Sequence, residues 1–325
     1  MPESQQQSQP ASTFAPEFNL LDKIVEEGRM GRDAATKERG RDLVRNFVSE
    51  VLAGTVTLNP DTEAMINARI AQIDALISAQ VNEVMHHPDF QKLEGSWRGL
   101  KYLLANSETG EQLKIKVMNV SKKDLLKDLQ KAPEFDQSAL FKKVYEEEFG
   151  VFGGTPFGSL LGDYEFGKSG QDIELLEKIS QVAAAAHAPF ISAASADMMN
   201  LESFTQLDAP RDMAKVFDTT EYAKWKSFRA SDDARYVALT LPRILMREPY
   251  GAATVPVEAF NFEERVDGTD HSKYLWGNAA WALGSRITQA FASYGWTATI
   301  RGVESGGLVE GLPCTTSRPT RATSR

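Results

Sequence analysis

The chain has 325 residues, with 36 lysines and arginines against 45 aspartates and glutamates and a formal charge of −9. Its 42% apolar and 25% charged residues supply an ordinary core, which excludes global disorder, and the acidic balance speaks against a broad nucleic-acid-binding face. No run of about 18 uncharged apolar residues occurs, as a membrane-spanning helix would need. The Gln/Ser-rich start, Met1 to Phe14, shows no secretory signal, and the single cysteine, Cys314, excludes internal disulfides and suits a reducing cytoplasm. A soluble, cytoplasmic, globular protein of one large or two average domains is expected.

Residues 1–16 read as a disordered arm. Residues 17–110 read as a helical N-terminal region. In 41–52, Leu43, Phe47 and Val51 run beside Val44, Val48 and Leu52, one apolar stripe on a helix. Asn59 reads as an N-cap ahead of Pro60, with Asp61 and Glu63 favoured by the helix dipole. The helix it opens sets Ile66, Ile70, Ile73, Ile77 and Val84 on one face. That stripe asks for cover, either from a bundle within the chain or from another protein.

Residues 111–313 change periodicity and read as an α/β domain. Leu113, Ile115 and Val117 alternate with Lys114 and Lys116, as in a strand with one solvated face. A charged helical stretch over 121–149 ends at Gly153-Gly154-Thr155-Pro156. Leu160 to Phe166 then forms a strand, Asp172 caps a helix with Leu176, Ile179, Ala183 and Ala186 on its core face, and Phe190 to Ala194 forms a buried strand. Strand, helix and strand make a parallel βαβ unit. Further strands are expected at Val237–Leu241 and Trp296–Ile300. Between them lies a helix carrying Trp276, Ala280, Leu283, Ile287, Phe291 and Tyr294 and capped by Gly295. The fold class is α/β in the mixed α+β sense: a helical N-terminal region, then a mainly α/β domain with a mixed sheet.

Residues 314–325 break this pattern. They hold three arginines, six serines and threonines, no acid and no large aliphatic or aromatic side chain. Two readings arise, a flexible basic tail or an out-of-frame extension beginning after Pro313, and the second is preferred because the sheet still needs cover there.

One phosphate-binding pattern occurs. Gly162 to Ser169 satisfies G-x-x-x-x-G-K-[ST], in which Gly162, Gly167, Lys168 and Ser169 would cradle a nucleotide and its Mg²⁺. Asp163 and Glu165 would repel phosphate, however, and the Tyr164/Phe166 alternation favours an extended strand. Adjacent His86 and His87 point about 100° apart on a helix end and make poor joint metal ligands. Asp267, Asp270 and His271 read as turn residues, and His187 as a helix-end imidazole. The readings left open are an assembly protein, an NTPase using 162–169, and an α/β ligand-binding domain with its pocket near Ser195 and Asp197.

Several blocks carry a family resemblance: Phe90-Gln-Lys-Leu-Glu-Gly-Ser-Trp-Arg-Gly-Leu-Lys-Tyr-Leu-Leu104, Pro156-Phe-Gly-Ser-Leu-Leu-Gly-Asp-Tyr-Glu-Phe166, Ala183 to Ser195, Thr240-Leu-Pro-Arg243, Pro249-Tyr-Gly251, Leu275 to Ala280 and Ile300-Arg-Gly302. In this order they resemble the large contractile-sheath subunit of the bacterial type VI secretion system, the TssC/VipB family. The resemblance implies a sheath protomer without enzyme activity, cofactor or metal. It would pair with a small sheath subunit and stack with other sheath protomers around an inner-tube protein. Through the assembled sheath it would meet a recycling ATPase and the baseplate, with no nucleic acid and no membrane insertion. The resemblance also makes the phosphate-loop match an accident. Because family members run further, it implies a C-terminally shortened chain impaired in assembly.

Overall fold

The computed structural model describes residues 34–53, 62–208, 212–268 and 270–315. The arm 1–16, the Asn59-Pro60-Asp61 start signal and tail residues 316–325 lie outside the described residues. The chain divides into two compact units, residues 1–73 and 74–325. The first contains α1 (Ala34–Leu52) and the opening half of α2 (Thr62–Met85). Within it, Arg69 reaches Glu50 in an ion pair and Leu43 and Val48 stand exposed.

The second unit takes up the rest of α2 and then α3 (Pro88–Ala105). Proline at the first helical position and the His87 ring, which accepts the Asp89 N–H at 3.3 Å, start α3. The Ser121 hydroxyl caps α4 (Lys122–Lys131), accepting from the Asp124 N–H, so Leu125 and Leu129 face inward. A 3₁₀ turn and a π turn follow, and there Phe141, Tyr145 and Phe149 stack at 4.8 and 5.0 Å.

β1 (Leu160–Phe166), α5 (Gly170–Ala185) and β2 (Phe190–Ala194) form the expected parallel βαβ unit. The helix α6 (Ala223–Ala230) leads on to β3 (Val237–Thr240), parallel to β2, giving the order β1-β2-β3. The short β4 (Ile244–Leu245) and β5 (Trp276–Gly277) pair antiparallel as a separate small sheet. The chain is therefore mixed α/β. α7 (Ala280–Tyr294) closes on Gly295 at φ +73°, the left-handed conformation that glycine adopts without a Cβ clash.

β1 separates two packing environments. Leu160, Tyr164 and Phe166 join the core of Leu125, Leu129, Leu176, Ile179 and Val182. Full burial of each such leucine or isoleucine contributes about 1.5–3 kcal/mol. Leu161 instead meets Gly284 of α7, where an added Cβ would stand 2.6 Å from the leucine methyl. Between Leu161 and Glu165 the pairing with β2 slips. Beside this slip the Gly162 and Tyr164 carbonyls accept from the buried Ser192 hydroxyl, both at 2.8 Å, and from the Asn278 amide.

Four expectations are corrected. Leu113–Val117 belongs to no strand, because no segment among the described residues supplies a ladder; Leu113 and Ile115 are nonetheless the better-buried members of the alternation. Trp296–Ile300 is likewise unpaired, with a local Ala298 N–H to Trp296 carbonyl bond and a well-exposed Trp296. Trp276 precedes α7 and lies in β5, since the Asn278 side chain accepts the Ala280 N–H and starts the helix later. Ser169, three residues before Asp172, is the N-cap of α5. Of the anomalous tail, Cys314 and Thr315 are described. Cys314 bridges Ile244, and Thr315 N–H bonds the Arg243 carbonyl at 3.1 Å.

Candidate functional site

The 162–169 segment spends its polar groups internally. Gly162 sits in β1 with its Cα against the Phe190 ring, and Asp163 accepts from Ser96 of α3 and from the Trp281 indole of α7. Glu165 holds Arg243 in a two-pronged pair at 2.5 and 2.6 Å. Gly167 N–H donates to Asp172 at 2.7 Å, and the Ser169 hydroxyl caps α5. The Lys168 ammonium bonds Asn200 at 3.1 Å and Glu221 at 3.2 Å, with Asp197 at 3.8 Å. The Glu221 hydrogen bond, aided by the charges of Glu221 and Asp197, raises the lysine pKa. Gly162, Gly167, Lys168 and Ser169 are thus neighbours along the chain but converge on no common point. Ser195 and Asp197, at the carboxyl end of β2, border the same acid-lined corner.

The isoleucine stripe of α2 is placed differently in each unit. In the first, Ile66, Ile70 and Ile73 are 45%, 51% and 44% exposed. In the second, the helix turns Ser78, Asn82 and Met85 inward, and the Asn82 amide bonds the backbone at Glu263 and Arg265. That polar inner face leaves Ile77 and Val84 outside. On α3, Phe90, Leu93 and Trp97 form a further exposed apolar row, and Val84, Phe90 and Leu93 share a shallow groove. The buried side of α3 is formed by Gly95, Gly99 and Leu103. A Cβ on Gly99 would lie 2.2 Å from the Trp281 indole nitrogen, so the α3–α7 contact requires glycine there.

A buried charge cluster was not foreseen. Arg247 pairs with Glu264 at 2.5 and 3.1 Å and with Glu94 of α3 at 2.9 Å, their side chains 7%, 1% and 14% exposed. Glu264 also accepts the Tyr250 N–H at 3.0 Å and faces the His86 ring at 3.2 Å, while Arg98 reaches Glu94 and the Tyr250 hydroxyl. Burial works against the Arg247 charge, but the bonds to Glu264 and Glu94 outweigh it and its pKa is raised. Only the side-chain types were visible in sequence, because the members lie up to 178 positions apart.

The remaining candidates have local roles. His87 caps α3 while His86 turns to Glu264, so the pair diverges. Asp267 and Asp270 shape the turn before Ser272, and the His271 ring stacks on Trp276 at 5.9 Å. His187 adopts φ +52° and meets Tyr236. Among the described residues no cluster of three or more His, Cys, Asp or Glu could hold a metal ion, and no helix is long and apolar enough to cross a membrane.

The second unit thus joins a parallel three-stranded sheet, with helices on β1's two sides, to apolar helix faces left outside and polar groups engaged in bonds within the chain. Comparison with known proteins gives the class: residues 67–324 match the VipB family, described as EvpB/VC_A0108, tail sheath N-terminal domain. The chain is also 52% identical over 285 residues to the type VI secretion system sheath protein TssC1 of Pseudomonas aeruginosa. That alignment covers 86% of this chain and 57% of the relative, so the chain spans little more than half the relative's length. The chain belongs to the VipB tail sheath family of type VI secretion systems.

Proposed function

We propose that the chain is a building block of a type VI secretion contractile sheath, working in the cytoplasm as a large subunit that pairs with a small sheath subunit. The observation that carries this reading is 52% identity to a sheath protein across 86% of the chain. The exposed isoleucines support it: such apolar faces are covered when helices pack on a partner. In an extended sheath, protomers would repeat through interfaces that do not close, which generates a tube around an inner-tube protein, and contraction would be a rigid-body change of packing. The 162–169 segment serves the fold in this reading, since its lysine, serine and first free N–H are already bonded to protein groups. No nucleotide turnover is assigned to it.

Coexpression with a small sheath subunit tests the proposal. The chain is expected to copurify with that subunit, and Ile70→Asp combined with Ile77→Asp to abolish copurification; unchanged copurification refutes the helix-face role. Equilibrium dialysis with ATP is expected to show no binding that depends on Lys168, and loss of measurable binding in Lys168→Ala would restore the NTPase reading.

A further inference from the structure

The helix α4 turns Leu125 and Leu129 inward, and its opposite face is a row of lysines. Lys123, Lys127 and Lys131 are all exposed and recur at four-residue spacing, so the row runs about 12 Å along the helix at ~1.5 Å per residue. Asp124 and Asp128 each precede a lysine by three positions, the spacing of a helical ion pair, yet neither pairs with it. Asp124 accepts the Ser121 hydroxyl at 2.6 Å, and Asp128 accepts from the N–H groups of Ala139 and Leu140 at 3.1 and 3.0 Å. Glu174 of α5 accepts from Gln130, beside the row, at 3.0 Å. Among the described residues the three ammonium groups make no ion pair, whereas Lys122, off the row, is held by Asp172 at 2.6 Å. Like charges at four-residue spacing repel, and Lys123 also stands in the first turn, where the helix dipole disfavours a cation.

We infer that the row of Lys123, Lys127 and Lys131 is a docking face for an acidic α-helix of another protein, with carboxylates at the same four-residue spacing. Spacing and charge both point to that partner. Carboxylates four positions apart on a helix repeat every ~6 Å, as the lysines do, so two helices side by side bring each ammonium to a carboxylate without either one unwinding. A second copy offering the same row is repelled by it. A nucleic acid fits less well. α4 carries no aromatic side chain on which a base could stack, and three lysines neutralise few phosphates. The rest of the polyphosphate would overhang the surface of a chain at −9, whereas a short acidic helix meets the row alone. The inference stands apart from the sheath reading, since it uses neither the isoleucine faces nor the comparisons.

Fluorescence anisotropy on the full chain tests it, with a capped, dye-labelled, alanine-based helical peptide carrying three glutamates at four-residue spacing as the probe. At about 0.01 M salt the peptide should bind saturably, and about 0.15 M salt should weaken it by about tenfold or more. A peptide of the same composition with its glutamates spread around the helix should bind roughly fivefold more weakly. Lys123→Gln, Lys127→Gln and Lys131→Gln together should abolish binding while circular dichroism stays unchanged, because all three side chains are exposed. Glutamate at the same three positions should instead bind the peptide in which lysine replaces glutamate. Equal binding of the two glutamate peptides, binding that survives the triple glutamine variant, or tighter binding of a short single-stranded DNA of equal charge would overturn the inference. So would self-association of the parent chain that the triple glutamine variant lacks, or no binding of the probe.

Discussion

The cluster around Arg247 supports a quantitative prediction. Replacing Arg247 with methionine keeps most of the side-chain volume but removes three bonds to carboxylates and one to the Glu248 carbonyl. Glu264, 1% exposed, is left with the Tyr250 N–H and His86, and Glu94 with Arg98 alone. Breaking a buried pair by removing one partner costs about 3–5 kcal/mol, because the remaining charge stays desolvated. Against a total of about 5–15 kcal/mol for a folded domain this is a large share. Urea unfolding should show a lower midpoint at unchanged slope. Adding Glu264→Gln to the methionine variant removes the orphaned charge while a carbonyl can still accept from Tyr250. The double variant should therefore be more stable than the sum of the single losses, by about 0.5–3 kcal/mol. A methionine variant within about 1 kcal/mol of the parent, or strict additivity, would refute the account, since uncompensated buried charge is what it rests on.

Two further outcomes follow from packing and titration. Gly99→Ala places a methyl 2.2 Å from the Trp281 indole nitrogen and should cost about 1–3 kcal/mol by thermal unfolding, whereas Gly110→Ala, with open space around it, should not show that overpacking cost. Burial, and after it the Asp163 charge, pushes the Tyr164 hydroxyl up to about 12 from 10.0. The folded chain thus keeps a proton that the unfolded chain releases, and stability should fall as pH rises from 10 toward 12. Tyr164→Phe should flatten that fall in chemical-denaturation curves taken across the window; an unaltered slope would show that Tyr164 is not its source.

The βαβ unit was legible because its signals are local: a two-residue alternation and a core spacing of three and four residues, with only the cap misplaced, at Asp172 instead of Ser169. Leu113–Val117 and Trp296–Ile300 carried the same alternation, but a strand also needs a neighbour, and pairing is a property of distant chain segments. The α2 stripe is apolar in sequence, yet it is Ser78 and Asn82 that face the body of the second unit, where Asn82 bonds the backbone at Glu263 and Arg265. The Glu94–Arg247–Glu264 cluster had no local signature at all. At 162–169 the pattern of residue types was present, but Asp172, Asp197 and Glu221 claim the groups that a phosphate would have used.

The slipped register of β1 carries a consequence for sequence variation. Two main-chain oxygens depend on the hydroxyl of Ser192 and the amide of Asn278, both inside the protein, so these positions are selected for a donor of the right reach and not for greasiness. A library randomised at 192 and 278 and sorted for soluble expression should return small hydroxyl and carboxamide side chains, although the surrounding residues would suggest alanine and leucine. Interior sites of this kind are where repacking by volume alone goes astray.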